Sequence, residues 1–328
     1  MVHSTNLLLL VGQKDSGDFS PRKATFYRMD NNKVFCSLWP FPKNITLAKI
    51  NKERVIFLEG AMLHIYSTCE FENLHNIDLV NDIHPNLICL SPSTENNNYL
   101  LYSTNQNEGI IKVYDLLYLT YKTSFQAHMS AIEKMNINHK GNMVVTTSVK
   151  GNMIRVFSLP KGDKLYFIKR GYSSAIVYSM NFLISDAMNK IVLSSETGTL
   201  HVIALDGNEN IINDNTNTKQ SSNNEQQRNE DEVNNISNSI FGFVSKIINK
   251  DYDEIINYKR PCISTNFSEL KGVINIVSFK QDSNGFKVFV ITENGDFISY
   301  VANYQGACLS KISTQNLMKV ISINVEDN

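Results

Sequence analysis

A ring of four-stranded blades, an all-β propeller of the WD type, is the fold this sequence predicts, and three observations predict it. Short β-branched or aromatic runs divided by Gly, Asn, Asp and Pro fill most of the chain. A turn glycine followed by a strand recurs as Gly60-Ala-Met-Leu-His-Ile-Tyr-Ser, Gly109-Ile-Ile-Lys-Val-Tyr-Asp, Gly151-Asn-Met-Ile-Arg-Val-Phe-Ser and Gly198-Thr-Leu-His-Val-Ile-Ala. With Ile65, Val113, Val156 and Val202 taken as equivalent, the copies stand 48, 43 and 46 residues apart, close to the roughly 40 to 45 residues of a propeller repeat. A β-sandwich shares the short strands but gives no reason for a constant step.

In chain order, Leu7 to Val11 reads as a buried strand: it is far shorter than a membrane span and lacks a basic lead and a small-residue cleavage site. The chain is accordingly expected to be cytosolic. Strands are expected at Arg54 to Leu58, Met62 to Tyr66, Leu87 to Leu90, Tyr99 to Ser103, Ile110 to Tyr114 and Met143 to Ser148. Weaker copies of the repeat, Arg22-Lys-Ala-Thr-Phe-Tyr-Arg and Gly295-Asp-Phe-Ile-Ser-Tyr-Val, bring the count to about six units. One blade cannot bury both of its faces, so residues 1–328 are expected to form one ring and one domain.

The rhythm breaks in an inserted stretch at 206–250. Residues 208–238 hold 11 asparagines in 31 positions, so 206–235 is expected to be disordered. In 236–249 the apolar residues Ile240, Phe241, Phe243, Val244, Ile247 and Ile248 follow helical spacing, which predicts an amphipathic helix. Its apolar face must be buried either on the propeller wall or in something external.

Composition limits the chemistry. With 31 Lys+Arg against 32 Asp+Glu the net charge is −1, which argues against a nucleic-acid partner. Cys36, Cys69, Cys89, Cys262 and Cys308 are odd in number and lack metal-ligand spacing, so they read as reduced core thiols. HExxH, GxxxxGK[ST] and GxSxG patterns are absent. The sequence thus predicts neither an enzyme nor a metal or cofactor site.

The most informative stretch runs through Ala127-His128, then Val145-Thr-Thr-Ser-Val-Lys-Gly-Asn-Met-Ile-Arg155-Val-Phe, then Ile168-Lys169-Arg170-Gly171, and ends in Ser194-Ser-Glu-Thr-Gly-Thr-Leu-His201. Here the chain resembles the PROPPIN family, phosphoinositide-binding WD-type propellers of the autophagy-related protein 18 and WIPI type. Ile168-Lys169-Arg170-Gly171 stands where that family carries Phe-Arg-Arg-Gly. The resemblance runs from Ser4-Thr-Asn-Leu-Leu-Leu-Leu-Val-Gly12 to Gly306-Ala-Cys-Leu. It implies seven blades, with the first incomplete here.

The resemblance also implies two lipid pockets on the rim. The first would use His128, Thr146, Ser148, Lys150, Gly151, Arg155 and Lys169; the second would use Arg170, Gly171, Ser195, Thr199 and His201. The implied ligands are phosphatidylinositol 3-phosphate and 3,5-bisphosphate. The implied partners are phosphoinositide-containing membranes and autophagy proteins. A monomer, peripherally bound to autophagic, endosomal or vacuolar membranes, is expected, with 236–249 as its inserting segment.

Consecutive strand residues point to opposite faces, so Lys169 and Arg170 can serve separate pockets. Arg155 and His201 hold equivalent repeat positions, where a polar residue otherwise simply faces solvent. His128 has a structural alternative, a hydrogen bond to its own blade. Lys169 replaces the family's arginine, keeping the charge but losing the bidentate fork. Asn152 replaces a threonine and Ile168 a phenylalanine. The competing functional expectation is a protein-interaction scaffold that binds no lipid.

Overall fold

The computed structural model describes residues 6–13, 20–31, 33–79, 81, 83–94, 96–103, 108–183, 189–205, 261–282, 285–303 and 308–317. The inserted stretch at 206–250, with its expected helix, lies outside the described residues.

Strands β1 (Leu7–Val11), β2 (Ala24–Arg28) and β3 (Lys33–Leu38) form the first sheet. The second holds β4 (Ile45–Ile50), β5 (Arg54–Glu59), β6 (Met62–Ser67) and β7 (Asn73–Asp78). The third holds β8 (Ile88–Leu90), β9 (Tyr99–Tyr102), β10 (Ile110–Asp115) and β11 (Thr120–Gln126). The fourth holds β12 (Ile132–Ile137), β13 (Met143–Ser148), β14 (Met153–Ser158) and β15 (Lys164–Lys169). The fifth holds β16 (Val177–Phe182), β17 (Lys190–Ser195), β18 (Thr199–Ala204) and β19 (Ile263–Asn266). The sixth holds β20 (Asn275–Asp282), β21 (Gly285–Thr292), β22 (Asp296–Asn303) and β23 (Ser310–Asn316).

Every sheet is an antiparallel meander read in chain order from the inside of the ring outward. This is a β-propeller, and among the described residues its first sheet has three strands rather than four. The expected cause of the repeat is visible. Gly60, Gly109, Gly151 and Gly198 have φ between 57° and 76°, a left-handed turn that favours glycine. Each leads into the third strand of its sheet, where Ile65, Val113, Val156 and Val202 are fully buried. Four equivalent core positions joined by four equivalent turns make the periodicity in sequence.

Cores form between sheets rather than within them. Val144 and Phe157 pack toward the third sheet, while Val145, Ile154, Val156 and Ile168 pack against Val177, Met180, Ile191 and Leu193 of the fifth. Val192, Leu200 and Val202 turn the other way, onto the sixth sheet. At about 25 cal/mol per Å² of apolar area, these shared cores are the main stabilising term.

An asparagine ladder ties the inner strands together. Asn136 on β12 donates to the Met180 carbonyl at 2.9 Å and to the Asn181 side chain on β16, and Asn181 donates in turn to the Val277 carbonyl on β20. The cysteines correct one expectation. All five are free, but only Cys89 is a buried core thiol, with its pKa pushed up to about 11 by burial, whereas Cys69 and Cys308 are exposed. Among the described residues no helix is long and apolar enough to cross a membrane.

Candidate functional site

Register fixes where the candidate residues point. On β13 and β14, Thr146 pairs with Arg155, and on β14 and β15, Arg155 pairs with Phe167 and Met153 with Lys169. Paired residues share a face, and so do residues two apart. Ser148, Thr146, Arg155, Phe167 and Lys169 therefore lie on the face that carries Val144 and Phe157, toward the third sheet. Arg170 continues the alternation from Ile168, on the face toward the fifth sheet. On the fifth sheet, Leu193 pairs with His201, so Ser195, Thr199 and His201 lie on the face turned back toward the fourth. Two clefts result, one on each side of the fourth sheet.

In the cleft between the third and fourth sheets, His128 is buried and its Nε2 lies 3.0 Å from Thr146 Oγ1. Arg155 donates from Nη1 to the Ala127 carbonyl at 2.7 Å, and its guanidinium lies 4.9 Å from the centre of the Phe167 ring. These contacts bind the Ala127-His128 loop to the fourth sheet, the structural role open to His128. Lys169 is half-buried with Nζ 3.7 Å from the Tyr172 ring centre, a cation–π contact. Lys150 is exposed at the turn before Gly151 and makes no cleft wall.

In the cleft between the fourth and fifth sheets, Arg170 is half-buried. It donates from Nε to the Gly151 carbonyl at 2.6 Å and from Nη2 to the Ser173 carbonyl at 2.7 Å. Burial lowers its pKa and the nearby Glu196 carboxylate partly offsets this. Ser195, Thr197 and Thr199 form a hydroxyl chain at 2.9 and 3.1 Å, with Asn266 donating to Thr199. His201 is buried, its Nδ1 2.8 Å from Ser264 Oγ, while its Nε2 has no hydrogen-bond partner. A buried polar atom left unpaired costs about 1–3 kcal/mol, so this one calls for an explanation. Gly171 has ordinary backbone geometry and a methyl group there would meet nothing within 4 Å.

Tyr172, Ser173, Glu196 and Ser264 complete these clefts and are absent from the sequence-based site. Tyr172 and Ser173 follow Gly171 directly, so their position was a usable signal. Ser264 is separated from His201 by the inserted stretch, and only the β18–β19 pairing brings them together.

The two histidines respond to pH. Burial first, and then the Arg155 charge, lowers the His128 pKa to about 3; burial first, and then Arg170, lowers that of His201 to about 4. Both are neutral in the folded chain at pH 7, whereas in the unfolded chain each takes up a proton near pH 6.5. Stability is therefore complete above that pH and is lost as the pH falls, by about 2 kcal/mol per histidine at pH 5. The urea midpoint is expected to stay level from pH 8 to 7 and to fall from 6.5 to 5. A His128→Gln, His201→Gln variant should lose most of that slope; an unchanged slope would assign it to other groups.

A family model described as PROPPIN matches residues 3–226, more than half of the chain. The chain belongs to the PROPPIN family. This PROPPIN is 35% identical over 207 residues to autophagy-related protein 18 of Dictyostelium discoideum, covering 63% of this chain and 54% of that protein. It is 29% identical over 227 residues to autophagy-related protein 18 of Yarrowia lipolytica, covering 63% and 56%. It thus spans about half the length of the curated relatives it matches.

Among solved structures, Kluyveromyces lactis Hsv2 superposes with a TM-score of 0.67 at 16% identity, covering 97% of this chain and 85% of that one. KlAtg21, in complex with the coiled-coil of AgAtg16, gives a TM-score of 0.68 at 17% identity, covering 97% and 84%. At such identities the likeness shows the fold. The curated relatives place this PROPPIN in an autophagy-related family.

Proposed function

We propose that this PROPPIN is a non-enzymatic phosphoinositide effector that binds phosphatidylinositol 3-phosphate and 3,5-bisphosphate in the two clefts and recruits autophagy or endolysosomal machinery to membranes. The observation that carries this reading is the cleft between the fourth and fifth sheets. There a buried imidazole with an unpartnered Nε2, an arginine held by two carbonyls and a chain of hydroxyls lie on facing strands, with the Glu196 carboxylate near the arginine but, among the described residues, no close ion pair to it. A phosphate monoester would bring acceptor oxygens for the guanidinium, imidazole N–H and hydroxyl donors of that set. His128, Thr146, Ser148, Arg155 and Lys169 form a second cleft with a weaker grip, since an ammonium binds as a point charge.

Each cleft alone binds modestly; two on one rim bind a bilayer by avidity. Residues 240–248 add apolar anchoring, where fully burying one large side chain contributes about 1.5–3 kcal/mol. The protein then resides in the cytoplasm and associates peripherally with autophagic, endosomal or vacuolar membranes. Its protein partners are autophagy proteins, a reading supported by the coiled-coil bound to KlAtg21.

Vesicle flotation tests the proposal. Vesicles with a few per cent of 3-phosphorylated headgroup should carry the protein up the gradient, whereas vesicles of equal charge made with phosphatidylserine should leave it behind. Equal recovery with both would favour a scaffold that does not read the headgroup.

A further inference from the structure

We propose that the cleft between the second and third sheets is a third phosphate-binding site. Lys112 supplies its charge, and Tyr102, Tyr121 and Ser124 supply hydroxyl donors to a phosphate monoester, carried by a free inositol phosphate or by a lipid headgroup. From the two-cleft reading above this site takes only its ligand class.

The repeat places it. The residues before Ile65, Val113, Val156 and Val202 are His64, Lys112, Arg155 and His201, each on the third strand of its sheet. Lys112 shares its face of β10 with Tyr114, which packs with Leu100 and Tyr102 against the second sheet, whereas Ile111 and Val113 pack toward the fourth. Lys112 therefore looks back into the cleft before its own sheet, as Arg155 and His201 do into theirs. It pairs with Tyr102 on β9 and with Ser124 on β11. That row is the counterpart of Thr146, Arg155 and Phe167 on the fourth sheet.

The donors of this row are unused. Lys112 is half-buried, and its ammonium makes no ion pair or hydrogen bond among the described residues. Tyr102 is only 5% exposed, yet its hydroxyl has no hydrogen-bond partner among them either. Burial first, and then the neighbouring Tyr121 and Tyr114 phenols, raises its pKa, so at pH 7 it stays a donor. The Tyr121 and Ser124 hydroxyls are exposed and likewise unpaired among the described residues. His75 of β7 stacks on the Tyr114 ring at 5.8 Å and 14° and joins the two walls.

The nearby carboxylates serve elsewhere. Glu59 and Asp78 of the second sheet line a cavity with His64 on the side of the first sheet, and Asp115 is held by Lys122 at 3.6 Å. His64 shows the contrast: its Nε2 lies 2.9 Å from Glu59 Oε2, so the side chain at that repeat position is already answered from within the chain. Lys112 is not. A half-buried ammonium beside unpaired hydroxyls is matched by an anion with several acceptor oxygens, which a phosphate monoester provides.

An NMR titration of the full chain with soluble inositol 1,3-bisphosphate tests this, in a Lys169→Ala, Arg170→Ala background that removes the cations of the other two clefts. The Lys112 and Ser124 amide signals should move and saturate while those of β22 stay in place. Lys112→Ala should weaken this binding at least about 10-fold, and Tyr102→Phe, which keeps the ring in the core, several-fold. Shifts that do not saturate, or that persist unchanged in Lys112→Ala, would overturn the proposal. So would equal shifts with inositol lacking phosphate. The readout needs neither a bilayer nor the other two cations, so it stands or fails separately from the two-cleft reading. Vesicle flotation then distinguishes the sources: Lys112→Ala alone lowers recovery if the phosphate is carried on a lipid, and leaves it unchanged if the ligand is the free inositol phosphate.

Discussion

Replacing both Lys169 and Arg170 with alanine is expected to lower binding to vesicles bearing phosphatidylinositol 3-phosphate by about 100-fold or more while leaving the fold in place. The two side chains act on different clefts because they lie on opposite faces of the fourth sheet, so the double variant weakens both sites at once. A hydrogen bond to a charged group contributes about 1.5–3 kcal/mol, and losing one in each cleft also removes the avidity between them. Neither cation is needed for the core. Lys169 rests on the ring of Tyr172, and both carbonyls held by Arg170 belong to loops rather than to the packed strands, the Ser173 bond being exposed. The thermal midpoint should therefore move by less than about 3 °C, the equivalent of roughly 2 kcal/mol in a chain of this size. The single variants should be unequal, with Arg170→Ala costing more than Lys169→Ala, because a guanidinium grips phosphate with two bonds. For the same reason Lys169→Arg should strengthen binding a few-fold. A double variant that floats as well as the parent protein would remove both clefts from the function.

Much of the fold was legible because the propeller repeats its requirements. A left-handed glycine and a buried aliphatic residue at a fixed offset are demanded once per blade, at Gly109 and Val113 as at Gly151 and Val156. The opposite aim of Lys169 and Arg170 was legible too, because strand alternation needs no knowledge of what lies on either side. The rest depended on pairing across long separations. Glu196 comes near Arg170 only when the fifth sheet packs on the fourth, and Ser264 reaches His201 across the inserted stretch. Burial was misjudged for Cys69 and Cys308 because a cysteine's hydrophobicity says nothing about which turn it occupies.

The glycines of the two clefts separate structural need from ligand contact. Gly151 has φ +63°, and a Cβ there would stand 1.9 Å from the Ala175 carbonyl oxygen, in the segment that leads into the fifth sheet. An alanine pays about 1 kcal/mol for the left-handed backbone and must also push that carbonyl away, breaking the Ala175 N–H bond to the Lys150 carbonyl. A total loss of about 3 kcal/mol and a midpoint lower by roughly 4–5 °C are expected. The shift reaches the ligand site directly, because the Gly151 carbonyl orients Arg170 through Nε. Vesicle binding should therefore weaken even at temperatures where the variant stays folded. Gly171→Ala is the matched control: its backbone is ordinary and the added methyl meets nothing within 4 Å, so its stability should change by no more than about 0.5 kcal/mol. Equal destabilisation by the two substitutions would contradict this account. Normal vesicle binding by folded Gly151→Ala would show that Arg170 holds its position without the turn carbonyl.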